Sequence, residues 1–529
     1  MYALAQIVLY SWPLVTWVLF RKLRPETALI ATIVLGYLFI PERVGFSLPA
    51  LPAINKHTLP AFCALTAIWL LHRREAEKAA REARRAALAA GQATAGQGDG
   101  RPAPAHGRPG GRRAMARRHG SRIALIIPLA VGVLMLNSVV GWLTNRDPLY
   151  FAARIVPGLS AYDVGMLWKA LLVMLLPLFI GRHYLRSREA QVEMLKVLAW
   201  SGAVYACLVL LETRISPKLN IMLYGFFAHD WMQHLRDGYR PIVFLAHGLR
   251  VGIFLAMAAL AAAALARNNV GGKRWMWLAM ALWITFCLAV SRNLGATMIA
   301  FGLLPVVLFF PVRLQFLLGL VIAAMVLVYP LARGSGLIPA DRVVTAVYSF
   351  NPARAGSLGF RLEQEDVLLG RANLKPVSGW GGWGRQLTFD AETGKRDSIP
   401  DGSWIIIIGE KGWIGYLGIF GLLCLPVIFT ALRYRRYEFG AIEGGITIVL
   451  CANLIDLIPN SSLLPLLWLM AGMMWGRLEQ ASVPSAEASI KQGAKRAQNE
   501  RIRSPGARIH QKSGRRPPAQ PGNSAPSNT

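Results

Sequence analysis

Four stretches of this chain, 123–145, 294–311, 314–332 and 412–432, run for 18 to 23 residues without one charged side chain. The hydrocarbon core of a bilayer takes about 20 predominantly apolar residues to cross, so each run is read as a membrane helix. Shorter or more interrupted candidates lie at 2–20, 27–40, 58–71, 164–181, 192–211, 242–266, 275–291, 439–457 and 461–476. Together they make about thirteen crossings by the usual helix length. The fold class that follows is all-α, a polytopic membrane helix bundle. Composition agrees: 54% of the 529 residues are hydrophobic and 16% charged, too apolar for an ordinary soluble surface.

Orientation follows from the cations between the spans, because Lys and Arg near helix ends are retained on the cytoplasmic side. Arg21, Lys22 and Arg24 mark one such connection, and Arg182, Arg186 and Arg188, then Arg267, Lys273 and Arg274, then Arg433, Arg435 and Arg436 mark others. All fall on one side if the N-terminus is periplasmic, and thirteen spans then leave the C-terminus cytoplasmic. The expected location is a bacterial inner membrane. The expected organisation is 1–72 with three spans, a basic loop at 73–122, 123–333 with seven spans, a large periplasmic loop at 334–402, 403–477 with three spans, and a basic tail at 478–529. The first span has no small-residue cleavage site and is followed at once by basic residues, which reads as a retained helix.

Half of the net charge of +30 lies in that loop and tail, not on a folded basic face, so no nucleic-acid partner is expected. The loop opens as a helix, RREAEKAAREARRAALAA, with Glu77 and Arg81 spaced for an i,i+4 pair. It then passes into Gly, Pro, Ala and Arg, a composition that cannot bury a core. Such segments serve as topology-fixing charge or contact anionic membrane lipid and partner proteins. The five cysteines, Cys63, Cys207, Cys287, Cys424 and Cys451, all fall in expected spans, which implies neither a disulfide framework nor a zinc site. No Walker sequence, dinucleotide fingerprint or HExxH occurs. No cofactor or metal is expected.

Polar residues gather where the later spans should meet the periplasm. In SLGFRLEQEDVLLGRANL, Leu358, Arg361, Leu362, Glu365 and Leu369 have helical spacing. GWGGWGRQ follows, its glycines permitting tight turns and its Trp380 and Trp383 suiting a membrane interface or a sugar face. Then DGSWIIIIGEKGWIGYLGIFGLL leads from the loop into a span.

Here the chain resembles the O-antigen ligases and Wzy-type polysaccharide polymerases. In that family a large periplasmic loop between two late helices ends in His, a small polar residue, a nine-residue spacer and Gly-x-x-Gly. This chain has Asp401, Gly402, nine residues, Gly412 and Gly415, the same frame with aspartate in place of histidine. Ser291 and Arg292 in AVSRNLGATM resemble the family's Ser-Arg segment, and Arg361 resembles its loop arginine. YRPIVFLAHGLRVGIFLAMAAL, with Arg240, His247, Gly248 and Arg250, looks like its entry into an earlier helix.

The resemblance implies a GT-C-like membrane glycosyltransferase, without cofactor, that polymerises an undecaprenyl-diphosphate-linked O-antigen or exopolysaccharide repeat on the periplasmic side. The alternatives are an O-antigen ligase that hands the glycan to a lipid A-core acceptor, and, in another class, a glycolipid transporter or a non-catalytic polysaccharide assembly subunit. The implied partners are the lipid-linked glycan, membrane lipid and polysaccharide assembly proteins. A diphosphate leaving group needs cations, and an arginine holds phosphate oxygens bidentately at any relevant pH. Arg240, Arg250, Arg292 and Arg361 are the diphosphate-binding candidates, each to be weighed against a snorkelling arginine at the interface. The acceptor hydroxyl must lose a proton. Asp401 is the candidate base, with a helix cap near Ser403 as its other reading. His247 is the second candidate, against an interface histidine that merely hydrogen-bonds.

Overall fold

The computed structural model describes residues 2–47, 52–95, 122–152, 154–227, 238–349 and 352–482. The apolar part of the basic loop's sequence continues as helix to Ala95; residues 96–121 and 483–529, where a lack of packed core was expected, lie outside the described residues.

The described chain is a helical bundle. Its helices are α1 Tyr2–Tyr10, α2 Trp12–Lys22, α3 Pro25–Phe39, α4 Leu59–Ala95, α5 Ile126–Thr144, α6 Ala161–Tyr184, α7 Arg188–Ile215, α8 Leu219–Tyr224 and α9 Gly248–Arg267. They continue with α10 Arg274–Val290, α11 Leu294–Phe309, α12 Val312–Gly334, α13 Ala340–Tyr348, α14 Pro352–Asn373, α15 Ser403–Arg433, α16 Ala441–Asp456 and α17 Pro465–Ser482. Among the described residues, six helices are long and apolar enough to cross a membrane, and the bent pair α1 and α2 raises this to seven. Several others that the hydropathy pattern marks as spans are shorter: α3, α10 and α11 are apolar helices of 15, 17 and 16 residues. Two small antiparallel hairpins that the sequence did not signal lie in the connections, β1 Gly45–Phe46 with β2 Ile54–Asn55 and β3 Leu149–Phe151 with β4 Arg154–Val156. In α4, Glu77 pairs with Arg73 at 3.1 Å and not with Arg81. Cys287, Cys424 and Cys451 are buried, whereas Cys207 is exposed on the bundle surface.

α9 is the central post, with nearly every residue from Val251 to Ala266 buried. Small residues let its neighbours approach, the packing that serves helices without a hydrophobic drive between them. A Cβ on Gly202 of α7 would stand 2.3 Å from the Ala258 Cβ, and one on Gly445 of α16 would stand 2.6 Å from the Ala264 Cβ. α16 runs antiparallel to α9, since Asn453 Nδ2 donates to Met257 Sδ at 3.5 Å near its other end. The C-terminus of α16 and the N-terminus of α9 therefore share one end of the bundle. The N-terminus of α15 joins them there through the Ser403 N–H, which donates to Leu457 O at 3.0 Å. At the opposite end Arg182 pairs with Glu479 at 2.8 Å, Arg477 pairs with Glu443 at 3.1 Å, and Arg267 donates to Val307 O at 2.8 Å.

One feature of α15 fixes how the 334–402 segment sits. Gly412 has φ +64° and ψ −168° and breaks the helix, so the glycine expected to head the span lies nine residues inside the helix. In an unbroken helix the N–H groups of Trp413 and Ile414 would donate to the carbonyls of Gly409 and Glu410. Here Trp413 N donates to Pro376 O at 2.8 Å and Ile414 N to Val377 O at 3.3 Å. The freed carbonyls take Trp380 N at 2.9 Å and Gly381 N at 2.8 Å. Lys411 O accepts from Asn137 Nδ2 at 2.8 Å. These freed groups are thereby paired with docked chain and with Asn137, the condition under which irregular backbone survives away from water.

Candidate functional site

Two polar constellations occupy the end of the bundle where α9 begins and α16 ends. The first stands on α14 and the start of α15. Arg361, on the helix that the 358–369 spacing predicted, places Nε 3.3 Å from Asp401 Oδ2. The Arg361 Nη1 also reaches Pro459 O at 3.5 Å. Asp401 is not the helix cap: the cap position is Gly402, with no side-chain cap bond, and the carboxylate turns to the arginine instead. A Cβ at Gly402 would meet Ile458 O at 2.2 Å, so glycine here lets the segment before α15 lie against the turn after α16.

That turn supplies a carboxylate that the sequence reading passed over. Asp456, the last residue of α16, is buried; its oxygens accept from Ser462 Oγ at 2.6 Å and Asn460 Nδ2 at 2.7 Å. Arg361 acts on it through space, without an ion pair of the kind it makes with Asp401. The signal was available, because a lone Asp inside the apolar run CANLIDLIP is costly unless it has a use.

The second constellation surrounds the start of α9. His247 is its N-cap, Nδ1 accepting from Leu249 N at 3.1 Å. Arg250 lies 3.9 Å from Glu42, which also pairs with Lys56 at 3.1 Å and His57 at 3.5 Å. Lys56 is fully buried and donates to Phe244 O at 2.6 Å. Burial alone would raise the Glu42 carboxyl; Lys56, His57 and Arg250 outweigh it and hold it down at about 2. Burial pushes the Lys56 ammonium down to about 8, with Glu42 opposing. The chain entering α9 is pinned as well: buried Glu212 accepts from Ile242 N at 2.8 Å and Val243 N at 2.7 Å. This holds Val243, a β-branched residue, at φ +53°, an outlier that needs such support.

Arg240 packs its aliphatic stem where a Cβ on Gly248 would be, 2.8 Å from its Cγ and Cδ. Arg292 sits in the turn between α10 and α11 at φ +60°, its guanidinium against Gly238. Gly252 brings the same turn against α9, a Cβ there lying 2.8 Å from the Asn293 Cβ. Arg240, His247, Arg250 and Arg292 thus collect around one helix start, and Arg361 with Asp401 collect at the start of α15. Tyr37 lies between the groups. Its buried hydroxyl has no hydrogen-bond partner among the described residues and feels Arg250, Glu42 and Asp456.

The two tryptophans of GWGGWG have parted company. Trp380 is buried under the Arg371 guanidinium, 3.5 Å from its ring centre, and donates to Arg371 O at 2.8 Å. Trp383 is 63% exposed at φ +64° and donates to Asp163 Oδ1 at 3.1 Å. Of the pair, only Trp383 has a face free for a sugar or a lipid headgroup. Glu365 of α14 joins the loop to the bundle, accepting from Tyr329 Oη and Trp404 Nε1 at 3.2 Å each. Burial raises its carboxyl above the usual range.

No family model matches this chain, and no curated protein matches it.

Proposed function

We propose that the chain is a membrane glycosyltransferase that extends a polysaccharide from an undecaprenyl-diphosphate-linked oligosaccharide on the periplasmic face, with about thirteen spans and residues 334–402 as its periplasmic loop. The observation that carries this reading is Arg361, ion-paired with Asp401 and within reach of the buried Asp456, at the end of the bundle that also gathers Arg240, Arg250 and Arg292. Cations and carboxylates in one place suit a reaction that expels a diphosphate and removes a proton. The acceptor hydroxyl oxygen attacks the anomeric carbon of the lipid-linked glycan, and the bond from that carbon to the diphosphate oxygen breaks. The electron pair leaves with the undecaprenyl diphosphate, held by the arginines, and the hydroxyl proton passes to one of the two carboxylates, Asp401 or Asp456.

The test is to profile lipid-linked and surface glycans in a strain that lacks the protein, then restore it as wild type, Asp401→Asn or Asp456→Asn. Polymerase action predicts that single-repeat carrier lipid accumulates, and that an amide at the proton-accepting position cuts product by about 10²-fold or more at normal protein levels. Accumulated long chains on the carrier would instead identify a ligase. An unchanged glycan profile would remove both readings and leave a transport or assembly role.

A further inference from the structure

A groove of about 490 Å³ runs between α2 and α4, starting at Phe62, shortly after the connection that carries Lys56 and His57, and leading away along α4. Its walls are Trp17, Phe20, Phe62, Cys63, Leu70 and Leu71, and Arg21 and Arg74 close one end. The two helices run in the same direction, since Trp12 and Pro60 both meet Gly36 near their beginnings. From Phe62 to Arg74 the groove follows about 18 Å of helix, close to the roughly 15 Å depth of one leaflet's hydrocarbon. It opens on a surface made for lipid: Leu14, Trp17, Trp69 and Leu70 are all exposed.

The mouth is electrostatically distinct from the walls. Arg21 lies 4.3 Å from the Trp17 ring centre, a stacking that holds the guanidinium at the rim. Neither Arg21 nor Arg74 has an ion-pair partner among the described residues, whereas neighbouring Arg73 is committed to Glu77. An apolar slot about one leaflet long, lined at one end by two cations without an ion-pair partner among the described residues, matches one kind of ligand.

We propose that this groove binds a single anionic phospholipid, an acyl chain along the α2–α4 walls and its phosphate between Arg21 and Arg74. Each arginine near a membrane surface adds roughly fivefold to affinity for anionic lipid, so two add about 25-fold.

Native mass spectrometry of the purified full chain tests this with phosphatidylglycerol and phosphatidylcholine of identical acyl chains. The expected result is one retained phosphatidylglycerol and no retained phosphatidylcholine. Arg21→Ala/Arg74→Ala should weaken retention by about 25-fold, and Thr66→Trp, which fills the slot, should abolish it with both arginines in place. Arg84→Ala/Arg85→Ala removes the same charge from α4 beyond the groove and should change nothing. Equal retention of both lipids, full retention by the Arg21/Arg74 variant, or equal loss in the Arg84/Arg85 variant would each overturn the site. So would a polyprenyl phosphate carried through purification in the phospholipid's place.

Discussion

At the scale of single residues, the candidate site combines strain with buried charge. Arg292 occupies a left-handed conformation at φ +60°, which costs a non-glycine residue of order 1–3 kcal/mol and is retained only where something holds it. Asn tolerates that conformation better than Arg. Arg292→Asn is therefore expected to leave thermal stability unchanged or slightly raised while glycan transfer falls; a melting curve and the glycan profile on one preparation check both. A variant that melts lower and still transfers would make Arg292 structural. Glu42 makes a second case. Its carboxyl is held at about 2 in the fold against an ordinary 4.5, so its stabilisation is fully present above pH 4.5 and fades as pH falls toward 2. The shift corresponds to about 3 kcal/mol. Glu42→Gln should lose about that much at neutral pH, leave Lys56 buried without its counter-charge, and flatten the acid limb of a stability-against-pH curve. An unaltered acid limb would mean that other carboxylates set it.

At the scale of elements, the loop is held by the break in α15. Gly412 tolerates φ +64°, and a Cβ there would stand 2.3 Å from the Val377 carbonyl oxygen, a backbone atom with no freedom to turn aside. Gly412→Ala should therefore undock the 376–381 segment and expose it to protease, with cleavage between α14 and α15 rising at least several-fold in the purified protein. Gly382→Ala is the control, because a Cβ there meets nothing within 4 Å. The GWGGWG sequence is explained by the same geometry. Trp380 and Gly381 cap the carbonyls that the break sets free, so the motif's tight glycines serve docking, and only Trp383 is left facing outward.

At the scale of the whole molecule, the antiparallel packing of α9 with α16 sends basic helix ends to one side and the mixed-charge constellations to the other. Reporters fused near Thr388 are expected to read as periplasmic, and those near Ala90 and Ser504 as cytoplasmic. A cytoplasmic Thr388 would place Arg361 and Asp401 on the wrong side of the membrane for a periplasmic transferase.

What the amino-acid order determined by itself was the helical class: the charge-free runs fold as apolar helices, with six helices among the described residues long and apolar enough to cross a membrane, and the 3.6-residue spacing around Arg361 announced α14. It also nominated Arg361 and Asp401, which the fold pairs. It could not decide between base and cap for Asp401, because both use the same carboxylate, and only the position of Arg361 turns that carboxylate away from the cap. Nor could it find Glu42 and Lys56 as neighbours of the start of α9, since they come from the α3–α4 connection, far from α9 in the chain. A buried charge is tolerable only beside its partner, and which partner arrives is decided by helix packing through Gly202, Gly252 and Gly445, a tertiary fact with no local signature.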